Sequence, residues 1–68
     1  MNILLLDYEM RKRGYPRAKL AAAIGISSSA FYRKCNGKSE FTLAEIKAIT
    51  DTLELSNMRE IFFAEKVS

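Results

Sequence analysis

The stretch RAKLAAAIGISSSAFYRKCNGK, residues 17–38, decides how the chain is read. Leu20, Ala21 and Ile24 recur at three- and four-residue spacing, which predicts a short amphipathic helix over about 17–24 that stops at Gly25. Pro16 stands just before it and suits a first helical turn, where a missing N–H costs nothing. Ser27 is a good N-cap for a further helix from Ser28 to Cys35, with Phe31 and Cys35, four apart, turned inward and Asn36-Gly37 as its stop. Ala21 is small where two crossing helices come closest, and Gly25 is able to take the left-handed conformation of a sharp turn. Leu20, Ile24, Ile26 and Phe31 then lock the two helices at a fixed angle.

Outward from this pair, MNILLLDYEMRKR carries Ile3, Leu6 and Met10 at helical spacing with Leu5 and Tyr8 beside them, predicting a first helix over about 3–13 stopped by Gly14. The cations Arg11, Lys12 and Arg13 fall in its last turn, where they also suit the negative end of the helix dipole. On the other side, Thr42 and Glu45 spell a capping box, with Phe41 and Ile46 at the staple positions. The helix they open is expected to bury Leu43, Ile46, Ile49 and Leu53. Leu55-Ser56 leads into a last short helix with Met58, Ile61 and Phe62. From about residue 62 the tail reads either as helix or as an extended strand pairing with another chain, since Phe63, Glu65 and Val67 alternate with Phe62, Ala64 and Lys66.

Sixty-eight residues allow one small domain, and 49% hydrophobic content with 11 basic against 8 acidic residues describes a chain that folds. The expectation is a single all-α, five-helix domain over 1–68, its central two-helix unit at about 17–36. Histidine is absent and Cys35 is the lone cysteine, which removes imidazole acid–base chemistry, Cys/His zinc sites and an internal disulfide. No nucleophile–base pair can be assembled, so an enzyme is the least supported class and no cofactor is expected. The four apolar residues Ile3 to Leu6 fall far short of a signal-peptide core or a membrane span. A reducing cytoplasm, bacterial or that of a phage-infected host, fits this cysteine usage. Cys35 has a redox reading beside Lys34, but an inward cysteine at helical spacing is in the first place a small core residue.

Charge is distributed unevenly. Residues 1–38 hold eight basic against two acidic side chains, a net of +6, whereas residues 39–68 hold three basic against six acidic, a net of −3. A basic half beside an acidic half aims one face of a small protein at a polyanion.

Two short helices joined through a glycine turn, the second polar on one side, form a helix-turn-helix. Through L-A-x-x-I-G-I-S at 20–27, N-G-K at 36–38 and the five-helix layout, the chain resembles the Cro and CI repressor (Xre) superfamily of helix-turn-helix regulators over nearly its whole length. The resemblance implies a compact lambda-repressor-like domain that binds double-stranded DNA and places its third helix in the major groove. The outward positions of that helix are Ser28, Ser29, Tyr32 and Arg33. Serine hydroxyls discriminate weakly, whereas an arginine forms a bidentate pair with guanine, so Arg33 is the strongest base-reading candidate. Tyr32 packs on a thymine methyl or donates to a phosphate; its alternative is partial cover over the helix edge. Arg17, Asn36 and Lys38 suit phosphate contacts, and the family's habits imply the same for Ser27, which is equally suited to capping. Lys34 departs from the apolar residue frequent at its position, with Cys35 taking the inward role one residue later; this leaves open a small rotation of the helix and, with it, which of Ser29, Tyr32 and Arg33 faces the bases. Pro16 replaces the side-chain cap usual before the second helix.

A module that reads a few base pairs gains genomic specificity as a homodimer on two half-sites of a roughly palindromic operator. Met58, Ile61, Phe62, Phe63 and Val67 are the candidates for the dimer seam, with ordinary core packing as their alternative. The short length resembles Cro-like phage or prophage regulators, since CI-type repressors carry a large C-terminal oligomerisation domain. A second functional class is a protein-interaction module, antitoxin-like or an anti-repressor adaptor, docking a partner through the Phe-rich C-terminal segment. Single-stranded RNA binding is a weaker third, because most of the aromatics are assigned inward.

Overall fold

The computed structural model describes residues 1–63, and among them it contains five helices and no strand. These are α1 (Ile3–Lys12), α2 (Arg17–Ile24), α3 (Ser28–Cys35), α4 (Leu43–Leu53) and α5 (Met58–Phe62). Local chemistry sets most of their ends. Asn2 Oδ1 accepts from the Leu5 amide at 3.0 Å to open α1, and Ser27 Oγ accepts from the Ala30 amide at 3.1 Å to open α3. At α4 both halves of the capping box are made: Thr42 Oγ1 takes the Glu45 amide at 3.1 Å and Glu45 Oε1 takes the Thr42 amide at 2.9 Å. Helix α2 begins after Pro16 with no side-chain cap, as the sequence implies.

The turn between α2 and α3 has the geometry expected of it. Gly25 sits at φ 83°, and the Ile26 and Gly25 amides return to the carbonyls of Ala21 and Ala22 at 3.0 and 3.2 Å. This paired closure satisfies two carbonyls that the helix end would otherwise leave open, and it requires a left-handed residue. Glu54 occupies the equivalent place after α4 at φ 52°, a conformation that costs a side chain more than it costs glycine.

One core joins the helices. Leu6, Leu20, Phe31, Ile49, Leu53 and Ile61 are fully buried, and Met10, Ala21, Cys35 and Leu55 complete the cluster. Phe31 meets Phe41 edge-on with centroids 5.5 Å apart, and Phe41 meets Phe62 in the same way at 5.8 Å. The Asn2 amide donates to the Ile61 carbonyl at 2.6 Å and draws α5 against the start of α1. Glu9 is the one buried charged side chain among the described residues. It is compensated by an ion pair with Arg13 one turn on, by Lys12 at 3.7 Å, and by Asn57 Nδ2 at 3.5 Å from the loop before α5.

Three expectations differ from what forms. Leu43 is not buried but 75% exposed. Ile46, Ile49 and Leu53 define the inward stripe of α4, and at about 100° per residue Leu43 lies roughly a quarter turn from its centre, on the helix's first turn. Ile61, a candidate for the dimer seam, is fully buried in its own chain's core and is not available to a second one. Phe62 ends α5 and is half-buried against Phe41, so a strand starting at residue 62 is not what forms there. Val67 and the rest of the tail from residue 64 lie outside the described residues.

Candidate nucleic-acid interface

Helix α3 is anchored on one side and open on the other. Phe31 and Cys35 pin it to the core, while Ser28, Ser29, Tyr32 and Arg33 are all exposed, Tyr32 by 56%. The four base-reading candidates therefore lie on the solvent side of one two-turn helix. Asn36 caps that helix and Gly37 follows at φ 79°, with the Gly37 and Lys38 amides closing on the Lys34 and Arg33 carbonyls at 3.2 and 3.0 Å. This closure holds the exposed Asn36 and Lys38 at the C-terminal end of α3.

Lys34, the departure that raised the question of a rotated helix, is turned toward a partner on α4. Its ammonium donates to Glu45 Oε1 at 2.7 Å and to the Glu40 carbonyl at 3.3 Å, 5.8 Å from the Phe41 ring centre. The stem lies along apolar surface, and Lys34 points toward α4 rather than outward with Arg33. Glu45 thus ties α3 to α4 and caps α4 with the same carboxylate. The hydrogen bond from Lys34, followed by that from the Thr42 amide, holds this carboxyl below the usual glutamate range. Cys35 is buried, and burial pushes its thiol up, with the Arg17 charge pulling weakly the other way. A raised thiol inside a core is inert, so Cys35 is a packing residue.

Not every phosphate candidate is free. Ser27 gives its oxygen to the α3 cap. Arg17 is partly buried and directs Nη2 to both Asp7 oxygens, at 3.4 and 3.3 Å, while its guanidinium carbon stands 5.2 Å from the Tyr32 ring centre. The basic half is thus partly neutralised from within: Arg13 by Glu9, Arg17 by Asp7 and Lys34 by Glu45. Within residues 1–38, Arg11, Lys19, Arg33 and Lys38 enter no ion pair with a described residue and are exposed; Lys19 lies over the Tyr15 ring at 4.7 Å. Sequence reasoning missed Asp7, Glu9 and Glu45 as partners. The i,i+4 spacing of Glu9 and Arg13 was a usable signal; no local signal links Asp7 to Arg17 or Lys34 to Glu45, ten and eleven residues apart.

Away from α3 the surface changes character. A shallow groove of about 570 Å³ is lined by Met1, Ile3, Phe41, Leu43, Phe62 and Phe63 together with the polar residues of the loop between α3 and α4. A second of about 370 Å³ shares Leu43, Ile46 and Phe63 and adds Met58. Phe63 is 50% exposed between them. No described helix is long and apolar enough to cross a membrane.

Comparison with known families accords with this geometry. The model of the Cro/C1-type HTH DNA-binding domain matches residues 6–65, which takes in every helix apart from the first turn of α1. No curated protein and no solved structure matches the chain. With its glycine-closed α2–α3 unit, an open polar face on α3 and a match spanning most of its length, the chain belongs to the Cro/C1-type helix-turn-helix DNA-binding domains.

Proposed function

We propose that the protein is a sequence-specific transcriptional regulator of the short Cro-like phage or prophage type, acting without catalysis by occupying an operator as a repressor in the bacterial or phage-infected cytoplasm. Helix α3 enters the major groove, with Arg33 pairing to guanine and Ser28, Ser29 and Tyr32 reading neighbouring edges. Lys38 and Asn36 hold phosphates at the end of α3, Ser27 donates its hydroxyl hydrogen, and Arg17 uses the guanidinium donors that Asp7 leaves free. The observation that carries this reading is the open α3 face: four polar side chains exposed together on a helix whose other side is locked by Phe31 and Cys35.

The same reading has the protein bind as a homodimer on a pseudo-palindromic operator. Exposed Leu43 and Phe63, with half-buried Met58 and Phe62 beside them, support an apolar seam at the α4–α5 corner. Val67, the remaining seam candidate from the sequence, lies outside the described residues.

Selection from a randomised duplex pool at about 150 mM salt, with excess nonspecific competitor, tests the proposal, because phosphate contacts alone give salt-sensitive binding without sequence preference. Enrichment of a palindrome with half-sites about one helical turn apart is the expected result. Folded protein that enriches nothing would overturn it and favour the interaction module, docked through the apolar corner.

A further inference from the structure

One guanidinium joins three helices. Arg17 belongs to the first turn of α2, Asp7 to the middle of α1 and Tyr32 to the exposed face of α3. Arg17 Nη2 lies 3.4 and 3.3 Å from the two Asp7 oxygens, and its guanidinium carbon is 5.2 Å from the Tyr32 ring centre. Helix α2 has no side-chain cap, and no hydrogen bond other than those to Asp7 holds the Arg17 side chain among the described residues. Asp7 is therefore the group that tethers the guanidinium, whose carbon stands within cation–π range of the Tyr32 ring. The Arg17 and Asp7 side chains are 31% and 29% exposed, so the pair is coupled to the molecular surface without being lost in bulk water.

A carboxylate in this place has an electrostatic cost. It stands beside a face that meets a polyanion, and it lowers affinity for every duplex alike. A protein that needed only charge would be better served by an uncharged residue. What Asp7 supplies in return is order: it removes rotamers of Arg17 and, through Arg17, of Tyr32 before DNA arrives, which is preorganisation of a reading group.

We propose that Asp7 is a positioning residue for base recognition, orienting Tyr32 through the Arg17 guanidinium and so trading overall affinity for discrimination at the base pair that Tyr32 governs. This rests on the proposal that α3 reads duplex DNA. Asp7 touches no base; Arg17 transmits its effect, and Tyr32 makes the contact.

The test is selection from the randomised duplex pool with wild-type protein, Asp7→Asn, Tyr32→Ala and Arg17→Lys, each verified as folded by circular dichroism. Asp7→Asn keeps the shape and removes the charge; Arg17→Lys keeps the charge and removes the plane. The expected result is that all three variants blur the same base-pair position in each half-site. Asp7→Asn is expected to lower the preference for the selected over a random duplex about three- to tenfold, the size of coupling between groups in contact, while random-duplex affinity stays or rises. In the Tyr32→Ala background, Asp7→Asn adds nothing to the loss of preference. A wild-type motif that survives unchanged in Asp7→Asn, or an equal affinity change on both duplexes, would overturn the inference and leave base reading by α3 intact. A wild-type protein with no motif at all would overturn both.

Discussion

The α2–α3 unit and the α4–α5 corner are built from similarly short helices, yet they finish their surfaces in opposite ways. In the first, every large apolar side chain is turned inward and the outer face of α3 is left to Ser28, Ser29, Tyr32 and Arg33. In the second, Leu43 and Phe63 stay exposed beside shallow grooves, although Ile46, Ile49 and Ile61 already fill the core beneath them. A helix face rich in hydrogen-bonding groups suits a wet, charged partner such as DNA, whereas an apolar corner suits a dry contact with protein. The difference is the ground for the proposal that the two faces of one small domain meet two kinds of partner.

Substitutions should separate the two regions in decreasing order of effect. Phe31 is the largest fully buried side chain and holds α3 to the core. Phe31→Ala is expected to cost about 3–5 kcal/mol of stability in denaturant unfolding, enough to lose the open face together with the core. Glu45→Gln should cost less, about 1 kcal/mol, since it weakens a capping box and a partly exposed ion pair. This carboxyl titrates lower in the folded chain than in the unfolded one. Its contribution is therefore complete above the ordinary glutamate value of about 4.3 and is lost as pH falls through the lower folded value. Unfolding measured between neutral pH and about pH 2 should show a steeper acid decline for wild type than for Glu45→Gln.

The smaller effects bear on partners rather than on folding. Lys38→Ala should weaken selected and random duplexes equally and reduce the salt slope by about one, measured by anisotropy titration across ionic strengths. Leu43→Lys changes an exposed position and should alter stability by no more than about 0.5 kcal/mol. In sedimentation it should nevertheless shift the proposed dimer toward monomer, whereas Arg33→Ala should leave that equilibrium unchanged. If both variants acted on the same property, the division between the two faces would fail.

How legible this was follows from the range of each interaction. The ends of α3 and α4 were readable because Ser27, Thr42, Glu45 and Gly37 act within a few residues of the backbone groups they satisfy. The inward faces of α2 and α3 were readable because period alone separates Leu20, Phe31 and Cys35 from their exposed neighbours. Leu43 misled because hydrophobic spacing at a helix's first turn does not tell whether another element covers it. Ile61 misled for the complementary reason: its side chain is taken up by the shared core, and its carbonyl is held by the Asn2 amide from the other end of the chain. At the interface, sequence supplied the exposed set on α3 but not its electrostatics. Pairings such as Asp7 with Arg17 and Lys34 with Glu45 depend on how helices are placed side by side, and no local pattern encodes that.

The central claim is that α3 reads base edges and that Arg33 is its principal reader. Repeating the randomised-duplex selection with Arg33→Ala tests it most directly, since a bidentate arginine–guanine pair is worth about 1–3 kcal/mol at a single base pair. The expected result is a motif that keeps its half-site spacing and loses preference at one position in each half-site. A motif that is unchanged in sequence and merely bound more weakly would contradict the claim and assign Arg33 to the phosphate backbone.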